Sequence, residues 1–193
     1  MTNHQVNSGC MMYDVKRKNL LLFCYTKIMQ RIEAKNAQNI RSYFQTAAEI
    51  ANMATCQRAH CGSVIVKNDE IIGRGYNSPP LENENNRTCN VTWNYTKKPK
   101  YDKTCCIHAE WRAIINALKK NSTKVSGSRL YFMRIDEAGN FTDAGDPYCT
   151  VCSRLAMEAG IAEFALWNNE GADIYKVDEY DIQSYQYYKI STK

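Results

Sequence analysis

From Ile40 onward the apolar positions fall into register. Ile40, Tyr43, Phe44, Ala47, Ala48, Ala51 and Ala54 recur at three- and four-residue spacing, which predicts one buried helix face. Residues 62–67 are a β-branched run that predicts a buried strand. Asn68-Asp69 supplies a turn, and residues 70–76 return as the second strand of a hairpin. Pro79-Pro80 ends that strand, because proline cannot donate to a ladder. Residues 81–104 have little period and predict a long loop, a feature that in compact domains is functional or held in place. A helix follows over 107–119, with Ala113, Ile114, Ala117 and Leu118 inward and Lys119-Lys120 where the helix dipole favours cations. Then come a strand at 129–135, a Gly- and Asp-containing insert at 136–146, a helix at 148–159 stopped by Gly160, and a strand at 162–167. Strands that alternate with helices imply crossovers and a sheet covered on its faces. The expected fold is α/β, a three-layer α/β/α sandwich on a mixed central sheet. We place one domain at 39–170, an N-terminal extension at 1–38 and a Tyr-rich tail at 171–193 packing on or extending it.

Composition changes this picture little. At 193 residues, with 44% hydrophobic and 23% charged, the chain suits a single soluble domain with a real core. Net charge of +5 without a run of five like charges is an ordinary solvated surface, and a weak pointer to an anionic partner. Residues 20–25 are apolar but too short for a secretory core or a bilayer span. Residues 20–32 could form a packing helix or a frayed extension. Nine cysteines, an odd number, fit reduced thiols of a cytoplasmic protein and suggest metal rather than a disulfide framework.

Two stretches carry the candidate chemistry. His108-Ala109-Glu110 opens one helix, and Cys149-Thr150-Val151-Cys152 opens another after Pro147-Tyr148. Cysteines three apart share a helix face, and the unpaired N–H groups of a first turn favour thiolates. One imidazole and two thiolates leave the fourth position of a tetrahedral Zn²⁺ open, and Glu110 is then free to move protons. His108 and Glu110 can address one site only if their helix begins about there. A lone C-x-x-C is also a common structural half-site or redox pair, and Glu110 would then be an ordinary helix residue.

Taken together, the H-A-E and P-x-C-x-x-C helices resemble the cytidine and deoxycytidylate deaminase superfamily, with the resemblance running from about residue 40 to 167. It implies a cytidine-deaminase-like fold, zinc on His108, Cys149 and Cys152, and Glu110 as the proton shuttle for attack by a zinc-bound hydroxide. Residues 56–66 and 75–80 are most similar to deoxycytidylate deaminases, so the resemblance implies dCMP as substrate, with Asn77 and Ala109 as substrate residues. Asn77 could equally be a residue that caps a strand end. Tyr148 between Pro147 and Cys149, and the insert at 136–146, depart from the family and bear on the substrate wall and the pocket rim. Cys56, Cys89, Cys105 and Cys106, with His60 nearby, resemble a second, structural zinc of some relatives; buried free cysteines are the plain alternative. A phosphate would need a cation, and Arg58, Arg87, Arg112, Arg134 and Arg154 are candidates. The family implies self-association. Other substrates stay open: free cytidine, a nucleobase, or adenosine in tRNA. Against tRNA or another nucleic acid, the chain lacks a concentrated basic stripe interleaved with aromatics. A non-catalytic zinc-stabilised binding module is the reading from a different class, and it would have no use for Glu110.

Overall fold

The computed structural model describes residues 8–11, 23–26, 29–91 and 104–187. β1 (Ser8–Met11) and β2 (Phe23–Thr26) pair antiparallel as a separate ribbon. The main sheet begins with β3 (Gln30–Glu33). It continues, after α1 (Gln38–Ala51), through the hairpin β4 (His60–Lys67) and β5 (Glu70–Tyr76). After α2 (Ala109–Asn121) come β6 (Arg129–Ile135), the short β7 (Phe141–Thr142) and α3 (Thr150–Glu158). β8 (Glu163–Asn168), β9 (Gly171–Lys176) and α4 (Val177–Gln186) complete the described chain. No helix among the described residues is long and apolar enough to cross a membrane.

The sheet order is β3-β9-β8-β6-β4-β5, with β7 paired to β6. β6 and β8 are parallel and joined by α3 as the crossover; the other pairings are antiparallel. Asn68 and Asp69 both hold positive φ (49° and 61°), the turn that matches strand twist in a two-residue hairpin. Strand alternation sorts the core into two layers. Val64, Val66, Tyr131, Met133, Ala165 and Trp167 face α1, where Phe44 sits edge-on to Tyr131 and Trp167. Ile65, Leu130, Phe132, Phe164 and Leu166 face α2, α3 and α4. The sandwich expected from the pattern is therefore present.

Helices lie close on the sheet because glycines let them. A Cβ at Gly62 would overlap the Ala47 carbonyl of α1, and one at Gly75 would overlap Ala113 N and Ala109 O of α2. The alternation Gly73-Arg74-Gly75 thus seats the Ala109, Ala113 and Ala117 face of α2 directly on β5.

The folded unit is wider than residues 39–170. β3 joins the sheet edge through pairing with β9, and Arg31 holds Asp173 across that edge at 2.7 Å. The tail supplies β9 and then α4, whose Tyr180 stacks on Phe164 at 4.2 Å. β3 was not visible in the pattern, since it buries only part of Ile32. The tail was expected to pack on or extend the domain, without its strand and largely polar helix being foreseen. The possible helix over residues 20–32 is replaced, where described, by strands at 23–26 and 30–33; residues 12–22 and 27–28 lie outside the described residues. The insert at 136–146 folds back as β7, extending β6 beyond the point where β8 stops pairing at Phe132.

Candidate active site

β5 and β6 run the same way, with β4 antiparallel between them. Their C-terminal ends and the N-terminal end of β4 therefore share one edge of the sheet. α2 and α3 both start at that edge, as ligand sites in open α/β sheets do. Ile107 N–H donates to the Ser78 carbonyl at 2.9 Å, which ties the entry of α2 to the end of β5.

α2 begins at Ala109, and His108 before it is extended (φ −66°, ψ 152°). That break in helical geometry allows the imidazole and Glu110 to face one site. His108 Nδ1 lies 3.2 Å from Cys152 Sγ and 3.5 Å from Cys149 Sγ. Their donor atoms all fall within 4.8 Å of one another, the one such metal-holding group among the described residues. Trp111 stacks on the imidazole (4.8 Å between centroids, 20° between planes) and fixes its orientation. Cys149 caps α3, its sulfur accepting the Cys152 N–H at 3.3 Å.

The electrostatics fit a cation. Hydrogen bonding from the Cys152 thiol, helped by His108, holds Cys149 down at about 5 against the effect of burial. Burial pushes Cys152 up, and a cation held there would favour its thiolate. Burial pulls His108 down, but the Cys149 contact and the Glu110 charge outweigh it and leave it raised. Glu110 is buried in the first turn of α2, and burial raises its carboxyl. One imidazole and two thiols that can ionise are the donor set of an open zinc centre, and the Glu110 carboxyl stands beside them without being needed as a ligand.

In front of this group is a pocket of about 640 Å³, a size that suits a small organic molecule. It is lined by His108, Ala109, Glu110, Asn77, Tyr148 and Arg134, among others. Residues 37–167 match the family model described as the cytidine and deoxycytidylate deaminase zinc-binding region. The chain belongs to this family. It is a zinc-dependent hydrolytic deaminase by that membership, and the His108, Cys149 and Cys152 cluster fits the metal. No curated protein matches it. Among solved structures, a dCMP deaminase from cyanophage S-TIM5, crystallised with dCMP and dUMP, is 22% identical. That match covers 65% of this chain and 77% of the other, with a TM-score of 0.45. A cytidine deaminase from Burkholderia pseudomallei is 15% identical, over 72% of this chain and 94% of its own, with a TM-score of 0.49. Acinetobacter baumannii RibD is 20% identical over 66% of this chain and 27% of its own, with a TM-score of 0.37.

The other sequence-stated positions divide. Asn77 and Ala109 line the pocket, yet both ends of the Asn77 amide are engaged. Oδ1 accepts the Cys61 N–H at 2.9 Å and Nδ2 donates to the Ala59 carbonyl at 2.8 Å, so Asn77 caps the strand ends as well as facing the pocket. Cys56, Cys89, Cys105 and Cys106 all line the pocket and touch one another in succession. Cys106 touches Cys56 on one side and Cys105 on the other (4.0 Å), and Cys105 touches Cys89. His60 is not among the lining residues. Tyr148, the extra residue before Cys149, forms a pocket wall, whereas none of the insert's residues 136–146 line it. The part of the long loop at 92–103 lies outside the described residues.

Arg112, one turn beyond His108 and a candidate phosphate cation by sequence, serves a different purpose in the structure. Its guanidinium donates to Tyr76 O (3.0 Å), Ser78 Oγ (2.8 Å) and Pro79 O (3.2 Å) and pairs with Glu82. It latches α2 to the loop that carries Asn77. This latching role, unlike its candidacy as a phosphate cation, had no signal beyond a position one turn after the motif.

Proposed function

We propose that this chain hydrolyses the exocyclic amino group of a cytosine nucleotide, dCMP and water giving dUMP and ammonia. His108 Nδ1 and the sulfurs of Cys149 and Cys152 hold the zinc, which when bound acts as a Lewis acid that makes water a nucleophile near neutral pH. Glu110 takes one proton from the attacking water and delivers it to ring N3. It then takes the remaining proton from the new C4 hydroxyl and passes it to the amino group, which leaves as ammonia as the C4 carbonyl forms. Burial suits the carboxyl to that traffic, because it raises the group toward the working pH. Ala109, at the start of α2, offers a free backbone N–H of the first turn to the base. Tyr148 forms one wall for the ring, and the Asn77 loop, held by Arg112, borders the sugar side.

The observation that carries this reading is Glu110, a carboxyl only 4% exposed beside the metal-binding trio, where a closed structural site would have no role for it. The outer thiols support a second, structural zinc less well, since no three of them meet as a ligand group. One zinc per chain, against two, decides that point by metal analysis. For the reaction, the zinc-loaded protein is incubated with dCMP, CMP, dCTP, cytidine and an adenosine-containing tRNA, and ammonia is measured. Release from dCMP with formation of dUMP is expected; no release from any cytosine compound ends the proposal.

A further inference from the structure

The pocket contains a guanidinium that has no carboxylate partner among the described residues. β6 alternates, so Leu130 and Phe132 face α2 and α3 as apolar core, and Arg134 occupies the next position on that same face. Strand register sets Cys61 of β4 beside it on one side and Thr142 of β7 on the other, a thiol and a hydroxyl but no carboxylate. Arg134 lines the pocket with Glu110 and Tyr148, while its Nε is buried without a hydrogen-bond partner, as is Thr142 Oγ1 alongside.

Its fellow candidates are committed elsewhere. Arg87 is held by Glu84 and the Thr55 carbonyl, Arg112 by the loop after β5 and Glu82, and Arg154 faces Asp181 and the Tyr185 ring. No ion pair among the described residues includes Arg134 or Arg58, and Arg58 is an exposed lining residue of the same pocket. Arg134 is half-buried and its guanidinium meets the Cys61 thiol. A sealed Nε without a partner is nonetheless costly, and an anion that arrives with the ligand would satisfy it. Guanidinium suits phosphate oxygens because its planar fork can donate two parallel hydrogen bonds.

Resting on the deaminase reading above, we infer that Arg134 is the specificity-determining residue that binds the phosphate ester of the nucleotide, with Arg58 adding a second cation at the rim. The insert at 136–146 then has a purpose, since β7 closes the free edge of β6 at Arg134 and holds that residue in a strand.

The test compares zinc-loaded wild type with Arg134→Gln and Arg134→Lys. For each, kcat/KM is measured on dCMP and on deoxycytidine, and calorimetry gives the affinities for dUMP, deoxyuridine and inorganic phosphate. Arg134→Gln should lower the dCMP-to-deoxycytidine ratio by roughly 100-fold, the scale of a charge-assisted contact. The dUMP affinity should fall in parallel, with Arg134→Lys recovering part of both. Equal losses on dCMP and deoxycytidine would mean that the guanidinium serves the base or the fold, and would overturn the proposal. An unchanged ratio would overturn it too. If wild type deaminates neither compound, the reaction is wrong; dUMP and phosphate binding that still depend on Arg134 would leave the anion subsite standing.

Discussion

Glu110 and the three metal-facing donors form the smallest working unit, and they can be separated by substitution. Glu110→Gln keeps shape and leaves the trio untouched, so zinc content should stay near that of wild type while deamination falls roughly 10²–10⁴-fold. Cys149→Ser should instead strip the metal, measured as zinc per chain. A variant in which Glu110→Gln retains full turnover would remove the carboxyl from the reaction. At this scale the sequence was most readable, because H-A-E and C-x-x-C are local patterns whose spacing already limits what they can hold. His108 and Glu110 were expected to share a site if the helix began between them, and it begins at Ala109. What spacing could not convey was occupancy. Asn77 has both amide groups bound to backbone, and Arg134 has its Nε bound to nothing, and only three-dimensional neighbours show the difference.

Between residues and the whole, the site depends on how tightly α2 sits on β5. Gly75→Ala would force its new methyl against backbone atoms of α2 next to Ala109, shifting the turn that carries His108 and Glu110. Gly62→Ala creates the same kind of overlap against α1, on the opposite face of the sheet. Both should cost about 1–3 kcal/mol as overpacking. Only Gly75→Ala should also depress kcat well below wild type under conditions where circular dichroism shows the chain folded. Comparable activity in the two folded variants would argue against helix seating as a control of the site. Elements with strong periodicity were legible, namely α1, the hairpin, α2, β6, α3 and β8. Others were not, among them β3, β7 and α4. β3 is four residues long with little buried surface, β7 has two residues, and α4 buries Tyr180, Glu179 and Ser184 in a mostly polar helix. Formation of β3 is decided by a partner distant in sequence, since Gln30–Glu33 pairs with residues 171–174. β7 is too short for its local pairing with β6 to show as a pattern.

Across the whole molecule, the order of the sheet is fixed by long-range pairing, and one charge cluster reports on it. Glu163 on β8 joins Arg129 of β6 (2.6 Å) to Lys176 of β9 (2.6 Å). Burial would raise its carboxyl, but the Lys176 and Arg129 hydrogen bonds outweigh it and hold the group below the ordinary range. A depressed carboxyl stabilises the fold fully above its unfolded pKa and loses that contribution as pH falls through the folded value. Glu163→Gln should therefore melt below wild type at pH 7, and the two melting temperatures should converge below about pH 4. The contribution is small, about 1 kcal/mol or less, because Lys176 is mostly exposed. The metal-facing trio spans a comparable distance along the chain, with Cys149 following His108 by 41 residues. During synthesis at about 5–20 residues per second, the imidazole and Glu110 emerge roughly 2–8 seconds before the first thiol. Nascent chains halted before residue 149 should accordingly retain no zinc, whereas chains released at full length should. Loading of the metal is then a final step of biosynthesis, and a chain cut short by the ribosome carries the acid but never the ion it works with.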